Sequence, residues 1–424
     1  MVEIGGKIIK ARHGLVSFNR GWWKKTIAKT DSLSLTVYSR KGREWVRHEP
    51  FTIRISHDPI DSYLSFRLIP PGYQGWNELG LYQRCLETFR ETPILENRLT
   101  DGNCLNCHTL NNRDPETFLF HSRASFGGTY MLMNGESKVV NTKTDSTAAT
   151  RYAYWHPNGR FIAYSVNDTQ QNFFASNPDR IEVYDNSSDV VIYDVEKGAM
   201  FWSEQTRSKD SFETYPVFTP DGKNLIFCSA KAVTGLPESF REVKYSLCMT
   251  AFDPLTGSLG EKVDTLFSAA RTGLSVAFPK VSPDGKHVVF VVQDHGSFAI
   301  WHKDSNLWSI ELPSGEAKHM AELNSSDGES WHTWSDNSCW LAFGSRRDDG
   351  LFTKIYISHV DENGNASKPF LMPQKDPLRF YHDCMNSYNL PEFMTGPVAV
   401  RQKAIARTLK HASPEATILR SECQ

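Results

Sequence analysis

Short runs of alternating apolar and polar residues recur through most of the chain, and three of them share one order of residues. Residues 152–164, 215–227 and 278–290 each begin at aromatic or apolar positions, turn at Pro-Asn-Gly or Pro-Asp-Gly, and continue into an apolar stretch. The three turn prolines are spaced evenly by 63 residues. Because Pro fixes φ, Asp or Asn bonds its own backbone and Gly accepts positive φ, each copy predicts a tight β-hairpin.

A fourth copy at 331–343 has Asp-Asn-Ser in place of this turn and keeps the flanking aromatic residues. After each hairpin come a third short strand, a turn at Gly198, Gly257, Gly315 or Gly364, and a final strand. Four strands per repeat predict the blade of a β-propeller.

Two more units precede these copies, which makes six predicted blades. Their strands are expected at 63–69, 81–86, 93–97, 118–123, 128–133 and 137–141, and residues 387–393 are expected to close the ring. We therefore predict an all-β chain with three parts: a small β appendage over residues 1–50, a six-bladed propeller over 51–398, and a tail over 399–424 that is weakly helical or disordered.

Composition narrows the choice of partners. With 47 basic and 49 acidic residues the net charge is −2, so no overall field favours nucleic acid. No apolar run approaches the ~20 residues that a membrane span needs.

Of the eight cysteines, Cys228 and Cys248 fall on neighbouring predicted strands, and free buried thiols are favoured over a disulfide between them. The oxygen-rich runs 167–171 and 185–189 lack the spacing of a calcium loop and predict surface loops.

One motif carries the chemistry: Cys104, Cys107 and His108 form C-x-x-C-H, the spacing at which c-type haem is attached. The thiols would hold one porphyrin as thioethers, and the imidazole would bind the iron. In the repeat register the motif takes the place of the first strand and turn of the second blade, so the haem is expected on a blade edge or face. Zinc or redox sites also use Cys-x-x-Cys, but the chain has no second Cys pair and no βαβ pattern.

The second axial position has three candidates. His121, on the next predicted strand, is preferred over Met131 and Met133 on the strand after it, and Met would raise the potential. Arg123 is a candidate partner for a haem propionate. Each has a plain structural alternative: a buried histidine bonded to a carbonyl, two methionines in a core strand, and a solvated arginine. An iron without a second ligand would allow gas or peroxide chemistry.

Five segments resemble a family of TolB-like, WD-repeat-like β-propeller proteins from Bacteroidetes. They are residues 103–108, 120–123, 127–129, 345–350 and 387–393. The resemblance extends from about Trp22 to Val398. It implies one covalent haem at Cys104, Cys107 and His108, in a protein exported to the periplasm or attached to the outer membrane as a lipoprotein. The first ten residues lack the apolar core of an export signal, so a leader, with or without a lipid anchor, is expected ahead of them.

Fold alone does not define function, and the family has no established reaction. The favoured hypothesis is electron transfer to or from a docked redox or envelope protein, without an enzymatic reaction of its own. One alternative is an interaction platform with structural or vestigial haem, since TolB itself is a docking protein. The second alternative is a haem peroxidase or nitrogen-oxide reductase.

Overall fold

A computed structural model describes residues 1–12, 14–70, 78–143, 148–176, 179–412 and 415–419. Cys423 therefore falls outside the described residues. Two compact units divide the chain, residues 1–59 and residues 60–424. Among the described residues, no helix combines the length and the apolar character needed to cross a bilayer.

The first unit is a five-stranded antiparallel sheet with one helix. Its elements are Val2–Ile4 (β1), Lys7–Ile9 (β2), Arg20–Ile27 (α1), Ser32–Lys41 (β3), Glu44–Arg47 (β4) and Phe51–Arg54 (β5). The long strand β3 pairs with β1, β4 and β5. The predicted boundary between residues 50 and 51 therefore moves to Pro59, because β5 belongs to this sheet and not to the propeller.

The second unit has six sheets among its described residues, each built on four antiparallel strands, and two of them gain a short fifth strand. In chain order its strands are Tyr63–Ile69 (β6), Gly80–Cys85 (β7), Glu91–Glu96 (β8), Leu105–Leu110 (β9), Phe118–Ser122 (β10), Gly128–Met133 (β11), Glu136–Asn141 (β12), Thr150–Trp155 (β13), Phe161–Phe173 (β14), Ile181–Asp194 (β15), Ala199–Phe201 (β16), Ser211–Phe218 (β17), Asn224–Lys231 (β18), Ser246–Phe252 (β19), Leu259–Phe267 (β20), Ser275–Val281 (β21), His287–Gln293 (β22), Asn306–Glu311 (β23), Lys318–His319 (β24), Glu329–Trp334 (β25), Trp340–Ser345 (β26), Lys354–His359 (β27), Phe370–Leu371 (β28), Ser387–Met394 (β29), Glu415–Ala416 (β30) and Ile418–Leu419 (β31). Its helices are Ala269–Thr272 (α2), Pro377–Asp383 (α3) and Gln402–His411 (α4).

The sheets are arranged as in a β-propeller. The C-terminal strand β29 pairs with β6 and so completes the sheet that holds the first strands of this unit, as predicted for residues 387–393. The innermost strands contact one another in a closed cycle: β9, β13, β17, β21, β25, β29 and again β9. In chain order the first sheet holds β6–β8 with β29, the second β9–β12 and the third β13–β16. Buried apolar residues fill the space between neighbouring sheets; Leu119, Met131 and Tyr164, for example, pack between the second and the third.

The four predicted hairpins are confirmed as β13–β14, β17–β18, β21–β22 and β25–β26. In three of them the turn glycine has positive φ, and in the fourth Ser338 takes that conformation, with φ of 62°. The turn side chain caps the backbone in the same way: Asp221 Oδ1 accepts the Lys223 N–H at 3.1 Å, and Asp284 Oδ1 accepts the Lys286 N–H at 3.1 Å. The turn chemistry in the sequence therefore forms as predicted.

Two local predictions are corrected. The C-x-x-C-H motif does not replace a strand and turn, because Cys107 and His108 lie within β9, which pairs with β10 and leads into the 3-10 turn Asn111–Arg113. The oxygen-rich runs are not surface loops, because they lie in the long hairpin β14–β15. Within that hairpin Asp185 accepts hydrogen bonds from Asn167 Nδ2 (2.8 Å) and Thr169 Oγ1 (2.6 Å).

The tail forms a helix, because one face of α4 is apolar. Ile405, Ala406 and Leu409 are buried in the cluster that contains Leu95 and Leu132 of the first two sheets. Beyond the helix, the short strands β30 and β31 pair in parallel with β12 and β16. The tail is therefore part of the packed unit over its described residues, 399–412 and 415–419.

We expect Ile405→Ala to lower the free energy of unfolding by about 2–4 kcal/mol, because it removes a fully buried side chain and leaves a cavity. Urea denaturation followed by tryptophan fluorescence measures the change. Arg407→Ala, at an exposed position of the same helix, is the control and should stay within about 0.5 kcal/mol. Equal losses in both variants would show that the helix does not pack through this face.

Candidate functional site

The innermost strand of each of the six described sheets of the second unit carries the same β-bulge. In each strand, two residues oppose one residue of the neighbouring strand, and the first of the two has positive φ. These residues are Cys107, Tyr152, Tyr215, Phe278, Trp331 and Leu390, with φ of 50°, 44°, 51°, 49°, 47° and 53°. Positive φ is uncommon for residues other than Gly and costs of order 1–3 kcal/mol. The surrounding ring must therefore enforce it.

Four of these six side chains are aromatic and pack together where the innermost strands meet. Ring centroids are 4.4 Å apart for Tyr152 and Tyr215, 4.1 Å for Tyr215 and Phe278, and 6.3 Å for Phe278 and Trp331. The remaining positions hold the smaller side chains of Cys107 and Leu390. The aromatic layer is therefore open on the side of Cys107.

Two cavities share this layer. The first, called here the thiol cavity, measures about 1110 Å³ including its open mouth, and both Cys104 and Cys107 line it. The second, called the axial cavity, measures about 590 Å³; it is lined by all six bulge residues and by His108 and His332. Both thiols of the motif thus reach one large space, whereas the motif histidine lines the other.

The thiol cavity is cationic. Arg67, Arg123 and Arg151 line it, and no Asp or Glu is among the described residues of its wall. The backbone N–H of Arg123 donates to the Cys104 carbonyl at 3.0 Å, which places this arginine beside the motif. Burial lowers the pKa of Arg67, and the nearby thiols of Cys104 and Cys107 partly offset that effect. This cavity suits a ligand that carries carboxylates.

His108 occupies a position between sheets. Its Nε2 lies 3.0 Å from Ser65 Oγ on β6, and its Nδ1 has no hydrogen-bond partner among the described residues. His332 occupies the same bulge position of β25, with its Nε2 2.8 Å from the Val289 carbonyl of the preceding sheet. Burial, followed by the charges of Arg67 and Lys280, lowers the pKa of His108 to about 3. Both imidazoles are therefore neutral groups that join adjacent sheets.

The three candidates for the second axial position lie on the other face of the second sheet. His121 Nδ1 is 2.9 Å from Thr129 Oγ1, and its ring centroid lies 5.7 Å from that of Tyr164 in the third sheet. Met131 is buried in the same interface, and Met133 packs against it. The structure thus brings Cys104, Cys107 and Arg123 together at one cavity, and it separates His108 from His121, Met131 and Met133.

Haem c fits this site in part. Two thiols on one large cavity, aromatic walls at Tyr152 and Trp331, and three arginines all suit a covalently held porphyrin with two propionates. His108 does not fit as placed, because it faces the first sheet and its Nε2 is bonded to Ser65. With haem bound, these residues would serve attachment and the propionates, whereas no imidazole is among the described residues of the thiol cavity wall.

Residues that the sequence did not single out also belong here. Arg151 directly precedes the bulge residue Tyr152, as Asn106 precedes Cys107, so aligning the repeats around the motif would have nominated it. A second group, Glu182, His295 and His302, forms a buried cluster that could hold a metal ion. Its members lie in segments that differ from repeat to repeat, so no spacing in the sequence connects them.

These features define a β-propeller with a candidate ligand site at the meeting point of its innermost strands. No family model and no curated protein sequence matches the chain. Among solved structures it is similar to hydrazine synthase from Kuenenia stuttgartiensis, with a TM-score of 0.51 and 12% identity over 80% of this chain and 48% of the other. TolB from Acinetobacter baumannii gives 0.49 and 12% identity over 85% and 78% of the two chains. An oligogalacturonate lyase in complex with manganese gives 0.40 and 13% identity, covering 72% of each chain.

At these identities the likeness is one of fold alone. The chain spans about half the length of the hydrazine synthase chain, so nothing about that protein's activity transfers with the fold. The β-propeller is thus established by topology, and function has to be argued from the residues of the site.

Buried neutral histidines make stability depend on pH. Burial lowers the pKa of His332 to about 3, so below pH 6.5 the unfolded chain takes up a proton that the folded chain does not. When the pH falls from 7.5 to 5.5, this histidine should lower the free energy of unfolding by about 1.4 kcal/mol. We expect His332→Gln to reduce the pH dependence of unfolding by that amount, measured by urea titration at both pH values. His382→Gln, at an exposed position of α3, is the control, and an equal reduction there would contradict the assignment.

Proposed function

We propose that this chain is a six-bladed β-propeller that holds one haem covalently through Cys104 and Cys107 and transfers electrons to or from a docked protein partner. The observation that supports it most directly is that both thiols line one cavity with three arginines and no acidic side chain among the described residues of its wall. A six-bladed ring is supported by the six sheets of the second unit and by the closed cycle of their innermost strands.

The thiol cavity suits both the propionates and the macrocycle of a porphyrin. Arg67, Arg123 and Arg151 provide planar donors for propionate oxygens, which guanidinium groups bind in pairs. Tyr152 and Trp331 provide flat apolar walls for the macrocycle. Because the aromatic layer is open at Cys107, a thioether there would project into space that aromatic side chains fill in four other sheets.

Iron ligation is the part of the proposal that requires a rearrangement. Binding by His108 requires its Nε2 to leave Ser65 Oγ, a neutral hydrogen bond whose net contribution is about 1 kcal/mol. On the opposite side of the iron we retain His121 as first candidate, because its Nε2 has no hydrogen-bond partner among the described residues. Since His121 lies on the other face of the second sheet from His108, its binding also requires β9 and β10 to rearrange. Met131 and Met133 remain alternatives. If no second ligand binds, a haem peroxidase or nitrogen-oxide reductase becomes the better hypothesis.

A second function, an interaction platform with structural or vestigial haem, is favoured by one observation. His108 and His332 occupy equivalent positions and join adjacent sheets in the same way, so the motif histidine has a role without iron. This hypothesis expects Cys104→Ala with Cys107→Ala to leave folding and partner capture intact. For both functions we propose a periplasmic protein or one associated with the outer membrane through a lipid anchor, and no nucleic-acid partner.

Exported together with a haem-attachment system, the chain should carry one haem that remains with the protein after denaturing extraction. The reduced pyridine complex of the extracted protein gives the amount by absorbance. The double variant Cys104→Ala, Cys107→Ala should lose this covalent signal, because no thioether can form. Cys339→Ser, which changes a thiol outside the cavity, is the control and should keep it. Absence of covalent haem in the unsubstituted chain would contradict the cytochrome hypothesis.

A six-coordinate electron carrier should not bind carbon monoxide. We expect the absorption spectrum of the reduced haem protein to be unchanged by carbon monoxide, and His121→Ala to make it responsive by removing the second ligand. Met131→Leu and Met133→Leu are the matched controls and should behave as the unsubstituted chain does. A response in the unsubstituted chain would favour the enzymatic hypothesis instead.

A further inference from the structure

Three buried side chains meet behind the wall of the thiol cavity. Glu182 lies on β15, His295 follows β22, and His302 follows the 3-10 turn Ala299–Trp301. Glu182 Oε2 is 3.2 Å from His295 Nε2, and Glu182 Oε1 is 3.2 Å from His302 Nε2. The three residues are 2%, 3% and 1% exposed. Two imidazoles thus direct the same ring nitrogen at one carboxylate in a site without solvent.

If both imidazoles are neutral, hydrogen bonds alone do not account for the contacts of this cluster. His295 has a carboxylate oxygen at each ring nitrogen, because its Nδ1 is also 3.0 Å from Asp294 Oδ2. A neutral imidazole has one N–H and can donate to only one of them. If Nδ1–H donates to Asp294, the lone pair of Nε2 faces Glu182, and a cation or a second proton must lie between them.

We propose that Glu182, His295 and His302 bind one zinc ion. Zinc takes imidazole nitrogen and carboxylate oxygen at about 2.0–2.2 Å in a tetrahedron, whose edges are then about 3.3 Å long. Each nitrogen–oxygen distance of 3.2 Å has the length of such an edge, although the two involve different oxygens of Glu182. One ligand atom from each of the three residues lies within 4.8 Å of the other two, so a small movement of these side chains closes a site on one ion. The contact between Asp294 and His295 is the carboxylate–histidine pair that commonly orients a zinc ligand.

Gln293 is the candidate for the fourth ligand. It is 1% exposed, and its Oε1 has no hydrogen-bond partner among the residues that the structure describes. A methyl group built on Gly296 would lie 3.6 Å from Glu182 Oε1 and 4.0 Å from Gln293 Nε2, so the amide is beside the cluster. The amide Nε2 donates to the His295 carbonyl at 2.7 Å, which leaves the buried Oε1 as the atom that could bind a cation.

The site would be structural, since its ligands are closed off from solvent. It connects two parts of the thiol cavity wall. Val183, next to Glu182, lines that cavity together with Thr169 and Gln171 of the same hairpin. Ile300 and Trp301, next to His302, line it from the other side. Zinc would hold the β14–β15 hairpin against the 294–302 segment, and this inference does not depend on haem attachment.

Titration with zinc chloride tests the proposal. The full chain carrying Cys104→Ala and Cys107→Ala, which prevents zinc binding by these thiols, is stripped with a chelator, titrated, and analysed for metal after gel filtration. We expect one zinc per chain, and at least a tenfold weaker affinity after His295→Gln or His302→Gln. His319→Gln, at an exposed histidine, should leave binding unchanged. No bound zinc, or equal binding in all variants, overturns the proposal and leaves protonated imidazoles as the explanation.

A second measurement needs no substitution and guards against misfolded variants. Hydrogen exchange of the unsubstituted chain is followed at residues 181–185 with zinc and with a chelator. We expect zinc to slow exchange there at least tenfold and to leave β18 unaffected, because β18 contributes no ligand. Equal exchange in both conditions would show that no ion holds the hairpin.

Discussion

The pairing of β29 with β6 is the constraint on which the second unit depends. A four-stranded sheet with two apolar faces is stable only between two neighbours, and an open row of such sheets would leave its first and last faces in water. By joining the end of the chain to its beginning, this pairing removes both exposed faces at once. Leu64 and Phe393, on these two strands, are fully buried in the cluster that connects the first and last sheets.

Closure also explains the bulges of the innermost strands. Six strands converge on one region, so regular alternation would direct too many side chains into too little space. The bulge turns one residue per strand toward the common centre. The positive φ that this requires is strained, and the packing of the closed ring maintains it. The cavity for a ligand arises from the same geometry, because Cys107 and Leu390 fill less of that region than the four aromatic residues.

Much of the fold could be predicted from the sequence because its information is local and repeated. The Pro-Asp-Gly turns identified the hairpins, and the spacing of 63 residues identified the blades. Features that depend on contacts distant in sequence could not be obtained in this way. The register of β9 depends on its pairing with β10, the order of the tail depends on an apolar face for α4, and the separation of His108 from His121 depends on which face of β9 and β10 each residue occupies. Short distance along the chain predicted that these histidines share an iron, whereas sheet geometry places them on opposite faces.

The bulge at Cys107 has an implication for how such a site arises. The backbone that directs this thiol toward the centre is the same backbone that directs Tyr152, Tyr215, Phe278, Trp331 and Leu390 there. The scaffold therefore supplies six equivalent attachment points, and a reactive side chain introduced at any of them inherits its direction from the ring. A reactive group at the centre of this propeller therefore requires few substitutions, because the bulged backbone already directs the side chain at each of these positions toward the centre.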